Sequence, residues 1–344
     1  MRTGQKTHTT SFAILGLLLL LTAFTNIHLG SIHIPSGDIA SILTGYPSAE
    51  KSWDYIVLNY RIPKAITAIL VGSGLGISGL LMQTLFRNPL AGPFVLGISS
   101  GASLGVAFLL LGASLFGGVF AGLAQQSWSI ALAASLGSFF VLGAVLLVVK
   151  KIRNTLSILI VGLMFGSISA AVINVLSYFS NAEQLQQFVF WSLGSLGNLS
   201  WKELALFSGI VAFSTVLLLR SIKPLDSLLL GENYAQSMGV ALKKTRRILV
   251  ISTGLLTGVI TAFAGPIAFV GLAVPHLTKL IFNTSSHKIL LPAVALNGAI
   301  LLLVCDAIAQ LPNSELTLPI NAITSLFGAP IVIWLLVRKQ KINV

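Results

Sequence analysis

The sequence predicts an all-α polytopic membrane protein: a tightly packed, glycine-rich bundle of about ten transmembrane helices. Of its 344 residues, 55% are hydrophobic and 9% charged, against roughly 25% charged in soluble domains. Several uninterrupted apolar runs reach the ~20 residues a helix needs to cross ~30 Å of hydrocarbon. Because these runs are continuous rather than alternating, a transmembrane β-barrel is disfavoured.

In chain order the runs place spans at 12–30, 62–85, 93–112, 128–149, 155–178, 201–220, 247–264, 269–283, 288–310 and 318–337. The first follows Arg2 and Lys6 with no small-x-small cleavage site behind it, and reads as an uncleaved span with its basic end in the cytoplasm. The eighth is short and bracketed by Pro266 and Pro275. With both termini inside, only Lys51, Arg61, Lys64 and Lys202 of the 21 Lys and Arg residues fall outside. The acids Asp38, Glu50, Asp54, Glu183, Glu203 and Glu315 fall there too, as the positive-inside rule expects. Residues 1–344 form one transmembrane domain on this reading.

Glycine organises the spans. Gly97, Gly101 and Gly105 line one face of the third, and Gly72 with Gly76 and Gly254 with Gly258 repeat the spacing that lets helix backbones approach in lipid. This argues for close packing and carries no information on substrate. Ala91-Gly92-Pro93 is echoed by Ala264-Gly265-Pro266, too short a match to establish an inverted repeat.

The net charge of +12 comes from loops between spans, without the basic stripe and interleaved aromatics that nucleic-acid binding needs. Cys305 is the one cysteine, which excludes an intrachain disulfide and a thiolate cluster. Of the histidines, only His28 and His33 are spaced as a metal pair would be, and interfacial histidines are the default; no metal site is assigned. No GxxxxGK[ST] phosphate loop occurs, so the chain does not hydrolyse ATP by that route. No catalytic constellation or cofactor motif appears, and the expectation is a non-enzyme.

Four features remain. Asp306 is the one acid well inside a span, either anchored by neighbouring polar groups or functional. Arg61 and Lys64 open the second span around Pro63, against both the helix dipole and the charge bias; they either snorkel to lipid phosphates or dock an acidic patch on an external protein. Segment 183–199 is amphipathic and too polar to span, an interfacial helix or a lid. Last, the stretch 220–247 between apolar runs gathers Arg220, Lys223, Asp226, Glu232, Lys243, Lys244, Arg246 and Arg247. Within it Asp226 near a helix start, apolar Leu228, Leu229, Leu230, Ala235 and Met238, and the breaks Gly231 and Gly239 suggest two short helices at an angle. Such a compact amphipathic element suits helix-in-groove recognition; a helix lying on the membrane surface is the plainer alternative.

These residues resemble the ABC-importer permeases for ferric siderophores, haem and vitamin B12. The matching stretches are Arg61-Ile-Pro-Lys64, Arg87-Asn-Pro-Leu-Ala91, Leu96-Gly97, Ser100-Gly101-Ala102, Trp191-Ser-Leu-Gly194-Ser-Leu196, Leu230-Gly231 to Met238-Gly239, Phe269-Val-Gly271-Leu272, Val274-Pro-His276, Asp306, Leu318-Pro319 and Gly328-Ala-Pro330, in one order along nearly the whole chain. The resemblance implies a ten-helix subunit of the bacterial cytoplasmic membrane that pairs with a second permease copy. It further implies two cytoplasmic ATP-binding subunits on the loop at about 221–246, an external substrate-binding protein, and a metal-chelate substrate, a ferric siderophore first. ATPase-coupling residues are then Asp226, Leu229, Leu230, Gly231, Glu232, Ala235, Met238 and Gly239; docking residues are Arg61 and Lys64; pathway or gate residues are Trp191, Gly194, Ser195 and Asp306. Two positions depart from the pattern: Gly92 stands where an acid often follows, and Gln310 where some relatives place a further docking arginine. The rival reading is an ion-coupled secondary transporter acting without an ATPase; it needs ion-coordinating acids in broken helices, and Asp306 is the one on offer.

Overall fold

The computed structural model describes residues 2–112, 122, 126–151, 155–197, 199–310 and 316–340. Arg153, Glu315 and Lys341, to which the charge bias assigns sides, lie outside them. All regular structure among the described residues is helical.

The chain runs through α1 (Arg2–His28), α2 (Ser36–Leu43), α3 (Lys51–Ile56), a π-turn (Val57–Arg61), α4 (Ile62–Leu85), a 3-10 turn (Pro93–Leu96), α5 (Ile98–Leu110), α6 (Ser127–Lys151) and α7 (Thr155–Phe179). It continues through α8 (Ala182–Ser192), α9 (Trp201–Leu219), α10 (Ile222–Leu229), α11 (Glu232–Ser237), α12 (Leu242–Ala264), α13 (Val270–Phe282), α14 (His287–Ala309) and α15 (Ile320–Gln340). All ten expected spans have a counterpart. Among the described residues seven helices are long and apolar enough to cross a membrane, and α5, α13 and α15 supply shorter apolar helices.

Three details differ from the sequence expectation. The second span does not begin at Arg61: α3, the π-turn and α4 form one continuous run, Lys51–Leu85. Pro63, in the first turn of α4, has no N–H to donate, and the ladder before it widens to the π pattern instead of stopping. Arg61 and Lys64 therefore do not face a free helix N-terminus, and the dipole penalty expected for them does not arise. The third span is broken rather than continuous over 93–112. Gly97 takes a left-handed conformation (φ 72°) between the 3-10 turn and α5. The 13 residues of α5, like the 13 of α13, reach only about 20 Å. Finally, α2, α3 and the π-turn form a cap in which Ile39, Ile42 and Val57 bury together with Ile34, a feature the hydropathy pattern left unassigned.

The core lies along α4 and α12, whose spans are 78% and 72% buried, whereas α1 and α7 bury only 11% and 17%. Helix α4 is crossed by α14 and α13 at contacts that exclude even a methyl group. A Cβ on Gly72 would overlap the carbonyl of Gly298, and one on Gly79 that of Gly271. Gly101 meets Gly137 of α6 in the same way. In lipid, where apolar side chains gain little by leaving hydrocarbon, this backbone proximity is a main source of cohesion. The amphipathic segment 183–199 supplies α8, opened by a capping box in which Asn181 and Gln184 satisfy each other's backbone N–H.

Candidate sites at the two ends of the bundle

At one end, α1, α4 and α14 converge on Asp306. This carboxylate is 3% exposed and fully engaged. Its Oδ1 lies 3.1 Å from Lys64 Nζ, while Oδ2 accepts from Asn26 Nδ2 and Gln310 Nε2, both at 2.9 Å. A buried carboxylate with one cation and two amide donors meets its desolvation cost by charge and by hydrogen bonds. Gln310, at the position where some relatives place a docking arginine, thus serves as an internal donor.

Arg61 stands beside this cluster with a different occupation. Its Nη1 donates to the carbonyls of Ile27 and His28, each at 2.9 Å, and Nη2 donates to Ile32 O. The last carbonyls of α1 have no intrahelical donors, and the guanidinium fork satisfies them. Arg61 is largely buried, and burial lies against the expectation that it presents an open charge for docking. Lys64 keeps a side-chain exposure of 23% and is the more available cation.

Both residues line an open hollow of about 440 Å³, together with Asp306, Gly194, Ser195 and Gln310. Gly194 (φ 75°) turns the chain after α8, and Ser195 N donates to Ala264 O at 2.9 Å. The turn rests on the irregular link between α12 and α13, where Ala268 N donates to Asn321 Oδ1 at 3.0 Å. Three of the four expected pathway residues therefore share one hollow. Trp191 stacks with Phe188 and faces an adjoining hollow of about 380 Å³ that also reaches Ser195 and Glu203. The His28 and His33 rings stand edge-on with centroids 6.2 Å apart.

At the opposite end, α10 and α11 form the expected pair of short helices. Gly231 (φ 113°) makes the break between them and Gly239 (φ 83°) ends the second, both conformations that a Cβ opposes. The pair has two faces. Leu225, Leu228 and Ala235 are buried against the bundle, while Leu230 and Met238 are 62% and 59% exposed, with Tyr234 and Leu229 beside them. Glu232 pairs with Arg246, which ties α11 to α12.

Asp226 departs from its expected position. Helix α10 starts at Ile222, so Asp226 does not stand at its own helix N-terminus. Its Oδ1 accepts from the backbone N of His287 at 2.8 Å and from His287 Nδ1 at 2.7 Å, capping α14 instead. His287 Nε2 lies 2.8 Å from Thr84 Oγ1 on α4. Thr84, His287 and Tyr234 escaped the sequence reading. The first two sit in apolar helices with no motif around them and meet across 203 residues.

With this geometry described, comparison with known proteins adds the following. A family model described as the FecCD transport family matches residues 18–338. The vitamin B12 import system permease protein BtuC of Klebsiella pneumoniae subsp. pneumoniae is 36% identical over 327 residues, covering 95% of this chain and 93% of the relative. The protein of the same name from Salmonella arizonae is 34% identical over 328 residues, with 95% and 94% covered. Among solved structures, an inward-facing ABC transporter assigned to the metal-chelate type superposes with a TM-score of 0.82 at 28% identity, covering 96% of this chain and 99% of that one. PsaBC from Streptococcus pneumoniae, solved with a Fab, gives 0.53 at 17% identity, a likeness of fold alone.

Proposed function

Because the chain belongs to the FecCD transport family and is a permease subunit of an ABC importer of the vitamin B12 and metal-chelate type, we propose that it passes a metal chelate from an external binding protein to the cytoplasm. In this family ATP hydrolysis belongs to a separate subunit. The observation that carries the partner assignment is the exposed Leu230, Tyr234 and Met238 on a helix pair that juts from an otherwise hydrocarbon-like chain. Two ATP-binding subunits would seat there, one on each copy of a permease dimer in the bacterial inner membrane. Leu229, Leu230, Met238 and the breaks at Gly231 and Gly239 would shape the contact, and Glu232 and Ala235 would hold the pair to the bundle.

On this reading both termini are cytoplasmic, residues 1–344 act as one domain, and the Lys64 end faces outward. Lys64 would meet an acidic side chain of the binding protein, with Arg61 holding the ground beneath it. The hollow bounded by Gly194, Ser195 and Asp306 would be the mouth of the pathway, with Trp191 at its rim. The chain would pair with a second permease copy, the pathway running at the dimer axis.

A ferric siderophore is the first substrate class, with haem and vitamin B12 beside it because the three groups of permeases share these motifs, and vitamin B12 is favoured by the names of the relatives at 34–36% identity. Uptake of a radiolabelled ferric siderophore and of radiolabelled cyanocobalamin by vesicles carrying the whole importer distinguishes them. Transport of neither chelate, nor of haem in the same assay, would overturn the substrate class.

A further inference from the structure

Helix α14 begins at His287, and its own N-cap residue, Ser286, makes no side-chain cap hydrogen bond. The acceptor comes from another element, Asp226 of α10, whose single oxygen Oδ1 takes both the backbone N–H and the ring Nδ1 of His287. A carboxylate at this point also complements the positive end of α14. Since an ionised carboxylate can only accept, Nδ1 carries a proton, and Nε2 is left to Thr84 Oγ1. That hydroxyl lies 2.9 Å from Leu80 O, one turn back on α4. His287 is 1% exposed, so water does not compete for either ring bond.

Leu225 and Leu228 also hold α10 to the bundle, by apolar contacts, and the Glu232–Arg246 pair ties the following α11 to α12. Apolar contacts resist separation but are non-directional, so they permit sliding. Hydrogen bonds weaken steeply when bent, and the two on the imidazole, with a third on the His287 backbone N–H, resist rotation as well.

We infer that His287 is the positioning residue through which displacement of α10 is passed to α4 and α14 together. The same two helices carry Lys64 and Asp306 at the far end of the bundle, roughly 28 Å along α14 at 1.5 Å per residue. His287 therefore gears the cytoplasmic helix pair to the helices that bear the outer ion pair. Asp226 acts inward, toward this link, and not toward the ATP-binding subunit. The inference rests on the proposal that ATP-binding subunits seat on α10 and α11.

The test uses the whole importer in proteoliposomes and reads ATP turnover, its stimulation by loaded binding protein, and chelate moved per ATP. His287→Ala and Thr84→Val should leave the ATP-binding subunits bound and basal turnover unchanged. Stimulation and chelate per ATP should fall roughly tenfold in His287→Ala, the scale of one lost hydrogen bond to a charged group, and by less, roughly threefold, in Thr84→Val, which loses a bond between neutral groups. Asp226→Asn, which keeps an oxygen for the backbone N–H, should retain more stimulation than Asp226→Ala. Thr84→Val removes one hydroxyl at nearly constant shape, so it serves if His287→Ala fails to fold. If Thr84→Val and every folded variant match a stimulated wild type, this inference is overturned and the functional reading stands. If the wild-type chain binds no ATP-binding subunit, both fall together.

Discussion

Lys64 Nζ lies 3.1 Å from Asp306 Oδ1, so a cation that the sequence offers to an outside partner is already neutralised from within. The pair joins the start of α4 to the end of α14. Since Asp306 also holds Asn26 and Gln310, the aspartate is the hub and Lys64 one of its spokes. Lys64→Ala and Asp306→Ala should therefore each destabilise the protein by about 3 kcal/mol, the first because it leaves a buried carboxylate without its cation, the second because it strands Lys64 and two amides. In a double-mutant cycle the two changes should be non-additive by about 1–3 kcal/mol. Thermal unfolding in detergent measures this, and additivity would show the pair to be uncoupled.

Arg61→Ala should destabilise the end of α1, because the carbonyls of Ile27, His28 and Ile32 lose their shared donor. The expected cost is about 2–4 kcal/mol, as for other buried charged hydrogen-bond donors removed from several acceptors. Arg61→Lys should recover only part of it, since an ammonium lacks the planar fork. Increased hydrogen exchange around 27–32 would mark the site of the damage.

Lys64→Glu should weaken association with the binding protein, and the loss should be larger at low ionic strength, where exposed charges are least screened. Titration of the purified complex at two salt concentrations checks this. An affinity independent of Lys64 would move the docking contact elsewhere on that face.

Gly79→Ala should prevent normal folding, because a methyl group there overlaps the Gly271 backbone, which belongs to a neighbouring helix and cannot rotate aside. Overpacking of this kind costs about 1–3 kcal/mol or more. Gly143→Ala meets nothing within 4 Å and should be neutral or slightly stabilising in its helix. Yields of folded protein from the two variants, compared side by side, decide the point.

Leu230→Asp and Met238→Asp should release the ATP-binding subunits while leaving the fold intact, since both side chains are exposed. Leu225→Asp, fully buried one turn away, should instead destabilise the fold. Co-purification together with thermal stability separates the two effects. Loss of stability in all three variants would show that α10 and α11 present no free face.

The spans were legible because length and apolarity are local properties of a run, and hydrocarbon imposes both. The break in the short helix pair α10–α11 was legible for a similar reason: Gly231 and Gly239 are the residues that tolerate positive φ, and both adopt it. Pairings were not legible. Arg61 bonds backbone carbonyls, which every residue has, so nothing in its partners' identity announces the contact. Asp226 looked like the start of its own helix because Pro224 precedes it, yet the acceptor it supplies belongs to His287, 61 residues on. Likewise the helix dipole seemed to oppose Arg61 and Lys64 until the π-turn carried the helix back to Lys51. In each case a local rule was correct in itself, and tertiary placement changed which group it applied to.

The most direct test of the account is ATP turnover by the chain reconstituted with its ATP-binding subunits, with and without chelate-loaded binding protein outside. Turnover should rise when the loaded protein is added, and chelate should enter only while ATP is hydrolysed. Chelate uptake by the chain alone, driven by a proton or sodium gradient, would contradict it.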